Sequence, residues 1–249
     1  MKKIMPRVFV VSVILMIWIS GCMQTPLAIS STPTLAPPAA TSTPKPSPKR
    51  MVVSILPYYD YQDIQIDVGN YSEELKAKDI QVLVQLAQEM AQKKELLTPE
   101  QMYVLAIRFY DLGDKDTSIY WYYEAQFRAK LFQQAIEPAQ YIALTDQAFK
   151  LNTAYDDFTR MAGEYINGYA GCDLDNWVKF TQMVLADNTT PPALNQMFPD
   201  VLFVNENRWQ SINDEVATGL AALIDYISKN GEAIKQRRAQ QDMDAKYCN

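Results

Sequence analysis

Glu124 stands within the run Tyr-Trp-Tyr-Tyr-Glu-Ala-Gln-Phe at residues 120–127, and a carboxyl group among aromatic rings is the group in this chain best placed for acid chemistry. Desolvation there favours the neutral acid and lifts its pKa toward a value useful for proton donation. Cleavage of a glycoside or of peptidoglycan on that plan calls for a second carboxylate beside the scissile bond, and no spacing in the sequence marks one. The plainer alternative places Glu124 on the solvent side, or pairs it with Arg128 one helical turn on. Other chemistries fall away on composition. The chain has no histidine, which removes Ser-His-Asp and Cys-His nucleophile systems and histidine-based zinc sites. Its three cysteines cannot make a four-thiolate site, and neither G-x-x-x-x-G-K-[ST] nor G-x-G-x-x-G occurs. No catalytic residue, metal site or cofactor is assigned.

The same run raises a binding hypothesis. Tyr120, Trp121, Tyr122 and Tyr123 sweep the whole circumference of a helix, so some of these rings must face solvent or meet a second layer of structure. Exposed Tyr and Trp supply large contact area at small entropic cost and are enriched at interface hot spots. Asp111, Asp114 and Asp116 lie just upstream in the run Asp-Leu-Gly-Asp-Lys-Asp. They hold part of the acid set of a calcium loop without its residue order or its closing Glu, so a capped turn is expected. These four aromatics and three acids are the candidate partner-binding residues, with core packing against both neighbouring helices as the alternative for the rings.

The elements that would position them are helical. Apolar residues at Ile80, Leu83, Val84, Ala87, Met90 and Ala91 recur at three- and four-residue spacing and predict a helix over 79–95. Thr98, Pro99 and Gln101 form a start signal and Gly113 a stop, predicting a helix over 99–112. A short turn leads to a helix over 115–136, making an antiparallel hairpin with its predecessor. Further helices are predicted over 138–151, over 153–169, from the Asp173 cap to about residue 185, and over 205–229, where Asn230-Gly231 provides a stop. Residues 187–200 read as a loop and 232–249 as a polar helix or tail. Ile64, Ile66 and Val68 alternate with polar residues, but no second strand is evident, so 64–68 is expected to be an extended arm. The fold class is all-α, an irregular multi-helix bundle. Its central hairpin, with Ala106, Tyr110, Gly113, Trp121, Tyr122 and Ala125, resembles one tetratricopeptide or Sel1-like unit; no second copy follows at the period a solenoid needs.

The N-terminal end is of another kind. Lys2, Lys3 and Arg7 precede twelve largely apolar residues, 8–19, too short for a membrane span, which takes roughly 20. Small residues follow and then a cysteine, the arrangement of a secretory signal. Ile19-Ser20-Gly21-Cys22 resembles the bacterial lipobox, which implies a signal peptide over 1–21, cleavage before Cys22 and lipidation of Cys22. Three acyl chains would make a firm membrane anchor. Met23 stands where an Asp resembles an inner-membrane retention signal, so the outer membrane, on its periplasmic side, is the expected address. Residues 23–50 hold seven Pro, five Thr and four Ser, a tether with too little apolar surface to offset ordering. The folded domain is expected over 51–249. Six of the 23 Lys and Arg and none of the 29 Asp and Glu precede residue 51, so that domain carries a net charge of −12. Such a balance argues against a nucleic-acid partner and suits a basic protein partner. With Cys22 assigned to lipid, Cys172 and Cys248 remain as a candidate disulfide, two free thiols being the alternative.

Residues 102–132 resemble a segment of Gram-negative proteins associated with type VI secretion toxins, in which G-D-x-D is followed by W-[FY]-Y and then A-Q-x-R. Residues 165–177, Tyr-Ile-Asn-Gly-Tyr-Ala-Gly-Cys-Asp-Leu-Asp-Asn-Trp, are similar to a second block of that group. The resemblance implies an immunity protein, a binder that blocks a toxin of phospholipase type delivered to the periplasm, and it brings no catalytic residues. Two alternatives stand beside it: a helical scaffold for envelope or outer-membrane assembly, and a carboxylate-dependent peptidoglycan hydrolase using Glu124.

Overall fold

A computed structural model describes residues 52–55, 64–141 and 146–248. The signal segment, Cys22 and the tether lie outside the described residues. The architecture is all-α, eight helices among the described residues, with one small strand pair at its N-terminal edge.

Val52–Ile55 (β1) and Ile64–Asp67 (β2) pair antiparallel, with Val53 opposite Ile66 and Ile55 opposite Ile64. The lone arm expected at 64–68 is thereby corrected. Val-Val-Ser-Ile opens on two apolar residues in a row and so breaks the period of two that β2 displays. The β-branched residues of β1 nevertheless suit a pleated partner, and pairing satisfies backbone groups that an isolated arm would leave to water.

Ile80–Gln92 (α1) starts at Asp79, whose carboxylate accepts the Gln81 N–H at 2.9 Å, and buries Leu83, Leu86 and Met90. A single 3-10 turn, Lys94–Leu96, leads to Pro99–Asp111 (α2), where Gln101 Oε1 accepts the Thr98 N–H at 3.0 Å. Gly113, at φ +92°, makes the turn that a residue with a Cβ would resist. Lys115–Ala135 (α3) follows at once, capped by Asp114, which accepts the Thr117 N–H at 3.1 Å.

Helix α3 is the centre of the molecule. Gln147–Ala170 (α4), Leu174–Asp187 (α5) and Trp209–Gln240 (α7) pack around it together with α2. Its apolar residues therefore follow no single stripe, since every side of it meets another helix. Tyr103 stacks on Phe158 with ring centroids 5.1 Å apart and meets Tyr122 edge-on, while Phe132 gathers Tyr155, Phe198 and Phe203.

Two helix boundaries differ from expectation. Pro138 opens only a 3-10 turn, Pro138–Tyr141, and α4 runs unbroken through Asn152 and Thr153. Thr153 reads locally as a cap, but Leu151, Ala154 and Tyr155 around it are buried, and that burial overrides its weak preference. Helix α7 likewise continues past Asn230-Gly231. Asn230 leaves helical geometry at φ −117°, its side chain donates to the Tyr226 carbonyl at 2.8 Å, and the helix resumes beyond this bend. The loop at 187–200 contains one short helix, Leu194–Met197 (α6). The chain closes with Met243–Tyr247 (α8), entered through Asp242 at φ +51°. No helix among the described residues is long and apolar enough to cross a membrane.

Candidate functional site

Glu124 projects from α3 into the interior and is fully buried. Arg128, one turn along the same helix, donates to its Oε1 at 3.3 Å. Its Oε2 receives Lys94 Nζ at 3.0 Å and Asn188 Nδ2 at 2.8 Å. Lys94 also donates to the Tyr120 hydroxyl at 2.7 Å, and that hydroxyl donates to Asp187 at 2.7 Å. Asn213 adds a bond to the Asn188 carbonyl at 2.8 Å. The cluster ties the turn after α1, α3, the end of α5 and α7 into one polar knot. Burial pulls the Arg128 pKa below its ordinary value, with Glu124 resisting. Burial raises the Asp187 pKa, but the Tyr120 hydroxyl and Lys94 outweigh it and hold the group below the usual carboxylate range. Glu124 thus takes the i+4 pairing of the plainer alternative, with both oxygens occupied.

The aromatic run is corrected as a contact surface. Trp121, Tyr122 and Tyr123 are 3%, 0% and 3% exposed, because α3 is enclosed on all sides and its rings meet the second layer. Tyr123 bonds Asn167 at 2.8 Å and receives Trp177 Nε1 at 2.8 Å; Tyr122 donates to the Thr159 carbonyl at 3.1 Å. Tyr120 is half-buried within the Glu124 knot.

The three acids hold the α2–α3 turn. Asp111 is exposed and paired with Arg108 at 3.3 Å, Asp114 caps α3, and Asp116 accepts from the Tyr169 hydroxyl at 3.1 Å and Asn176 at 3.3 Å. They bring α2, α3, α4 and the start of α5 to one end of the molecule.

At that end lies an aromatic face that the sequence reading missed. Met161 and Tyr165 on α4 are 42% and 51% exposed, and Tyr169 and Tyr110 are half-buried beside them. The Tyr110 ring lies 6.3 Å from Tyr165 and 6.5 Å from Tyr169, and Tyr165 lies 6.3 Å from Tyr247 of α8. A signal was present. Met161, Tyr165 and Tyr169 recur every fourth residue, one position before Ala162, Ile166 and Ala170, which α4 buries. That stripe lies about 100° around α4 from the buried one, at the edge of the face turned to the core. Burial first, then the neighbouring Tyr247 and Tyr165, raise the Tyr110 pKa; burial first, then Asp116, Asp173 and Asp114, raise that of Tyr169.

The C-terminal segment borders this face. Cys172 and Cys248 are joined in a disulfide. Tyr247 lies flat on Gly168, where a Cβ would meet the ring at 2.7 Å, and Glu164 accepts from Lys246 at 2.9 Å and from the Tyr247 hydroxyl at 3.2 Å. Arg238 is buried against Gly171, with Nη2 3.4 Å from each sulfur and 2.8 Å from Asp244. Cys172, Asp244 and Cys248 are the one close group of metal-ligating side chains among the described residues. Both of its sulfurs are in the disulfide and its carboxylate is paired with Arg238.

No family model matches the chain, and no solved structure matches it. An uncharacterized protein of Haemophilus influenzae is 23% identical to it over 226 residues, covering 84% of this chain and 83% of that protein. The similarity spans most of both chains and carries no function with it.

Proposed function

We propose that this chain is an immunity protein, anchored through lipid on Cys22 to the periplasmic side of the outer membrane, that binds and inhibits a type VI secretion toxin of phospholipase class. The observation that carries this reading is the exposed tyrosine face at the end of α2 and α4. Rings of this kind concentrate binding energy at protein interfaces. The two blocks of sequence that resemble type VI immunity proteins supply it: residues 102–132 contribute Tyr110, Asp111, Asp114 and Asp116, and residues 165–177 contribute Tyr165 and Tyr169. Glu124, the carboxyl group best suited to acid chemistry, serves the interior instead. Periplasmic expression of a type VI phospholipase toxin from the same genome, with and without this chain, tests the proposal. Protection is expected with the chain present, and equal killing in both strains would overturn it. Cys22→Ser is expected to move the chain to the soluble fraction and weaken protection.

A further inference from the structure

The tyrosine face has the electrostatics of a cation seat. Aromatic faces carry a negative quadrupole that attracts ammonium and guanidinium groups, and the chain already uses this property itself. Lys115 Nζ lies 5.5 Å above the Tyr110 ring and 5.2 Å above the Tyr169 ring. Tyr165, the most exposed ring of the group, adjoins Tyr110 and Tyr247.

Carboxylates surround these rings in excess. Asp111 pairs with Arg108, and Glu164 pairs with Lys246. Asp114, Asp116 and Asp173 instead accept hydrogen bonds from neutral donors: the Thr117 amide, the Tyr169 hydroxyl and Asn176 side chain, and the Asp175 and Asn176 amides. Even with Lys115 lying over the Tyr110 and Tyr169 rings, the acids outnumber the cations beside them.

We propose that the Tyr110, Tyr165 and Tyr169 face receives an arginine-bearing loop of a protein partner, its guanidinium stacked on Tyr165 and its charge answered by Asp114, Asp116 and Asp173. Arginine fits better than lysine because its planar group stacks on a ring while its N–H fork reaches carboxylates. The proposal rests on the toxin-binder reading for the kind of partner, and on the local geometry for the chemistry.

The test titrates the full chain, in detergent micelles, with a labelled twelve-residue peptide carrying three arginines, followed by fluorescence anisotropy. The control peptide replaces each arginine with neutral citrulline. The arginine peptide is expected to bind at least ten-fold more tightly than the control, and Tyr165→Ala to weaken it about five-fold. Asp173→Asn keeps the helix cap and is expected to weaken binding two- to three-fold with a shallower salt dependence. Met183→Ala, an exposed apolar residue of α5, should change nothing. Equal binding of the citrulline peptide, or full affinity in both Tyr165→Ala and Asp173→Asn, would overturn the proposal. So would displacement of the peptide by phosphatidylethanolamine vesicles, which would assign the face to lipid headgroups. The titration contains no toxin and the killing assay contains no peptide, so either reading can fail without the other.

Discussion

Lys94 reaches across from the turn after α1 to close a 3.0 Å ion pair with the fully buried carboxylate of Glu124 on α3. A buried pair of this kind adds little over a well-packed apolar one, but breaking it strands the remaining charges. Glu124→Ala leaves buried Arg128 without its carboxylate and Lys94 with Asp187 alone, and is expected to cost about 3–5 kcal/mol. Urea unfolding measures this directly, and a cost below about 1 kcal/mol would mean that solvent reaches the pair.

The second buried acid predicts a pH dependence. Glu100 lies in the first turn of α2 and accepts the Tyr155 hydroxyl at 2.6 Å. Burial raises its pKa above the ordinary value of a glutamate, against the lowering effect of that hydrogen bond. A carboxyl group with a raised folded pKa holds its proton more tightly in the native state. Its contribution is present at low pH and is lost as pH climbs from the ordinary carboxylate range through the raised value. Glu100→Gln should therefore gain stability relative to wild type between about pH 4 and about pH 8. Paired unfolding curves at the two pH values check the sign, and a relative loss would contradict it.

The Cys172–Cys248 disulfide closes a long loop, a sequence separation of 76. In the chain-entropy picture such a crosslink stabilises by about 3–5 kcal/mol through the unfolded state. The Cys172→Ser and Cys248→Ser double variant should unfold at correspondingly lower denaturant. Dithiothreitol should lower the wild-type midpoint to meet it while leaving the double variant unmoved.

Gly168 permits the close seat of Tyr247. Replacing a helical glycine with a larger residue removes a propensity cost of up to about 1 kcal/mol, yet here the new Cβ would meet ring atoms 2.7 Å away. Gly168→Val is expected to lift α8 off α4 and break the Glu164 bonds to Lys246 and Tyr247. Hydrogen exchange at residues 243–247 should then rise, with little change in α2 or α3.

The helices from α1 to α3 were readable because their signals are local: the apolar spacing from Ile80 to Ala91, the Thr98, Pro99 and Gln101 start, and Gly113 at its positive φ. The continuity of α4 and α7 was not, because burial of Thr153 on one and of Ile227 and Arg238 about the bend on the other carries those helices through residues that locally favour a stop. β1 carries no such signal, since Val-Val-Ser-Ile does not alternate as the equally short β2 does. The candidate acids lie at the face now singled out. The candidate rings, apart from half-buried Tyr120, are interior, since sequence alone could not say that α3 is wrapped on every side. Tyr165 and Tyr169 share their four-residue spacing with the buried Ile166 and Ala170, and spacing alone does not say which of two adjoining stripes faces solvent.

The covalent link between Cys172 and Cys248 also decides how the molecule meets a pull. Tension drawn between the two chain ends passes through α1, α2, α3 and α4 to Cys172, then crosses directly to Cys248. The chain that forms α5, α6, α7 and α8 lies outside that covalent path and cannot be drawn out while the bond holds. Only the stretch before Cys172 can be paid out, and the tyrosine face of α4 sits at the very end of it.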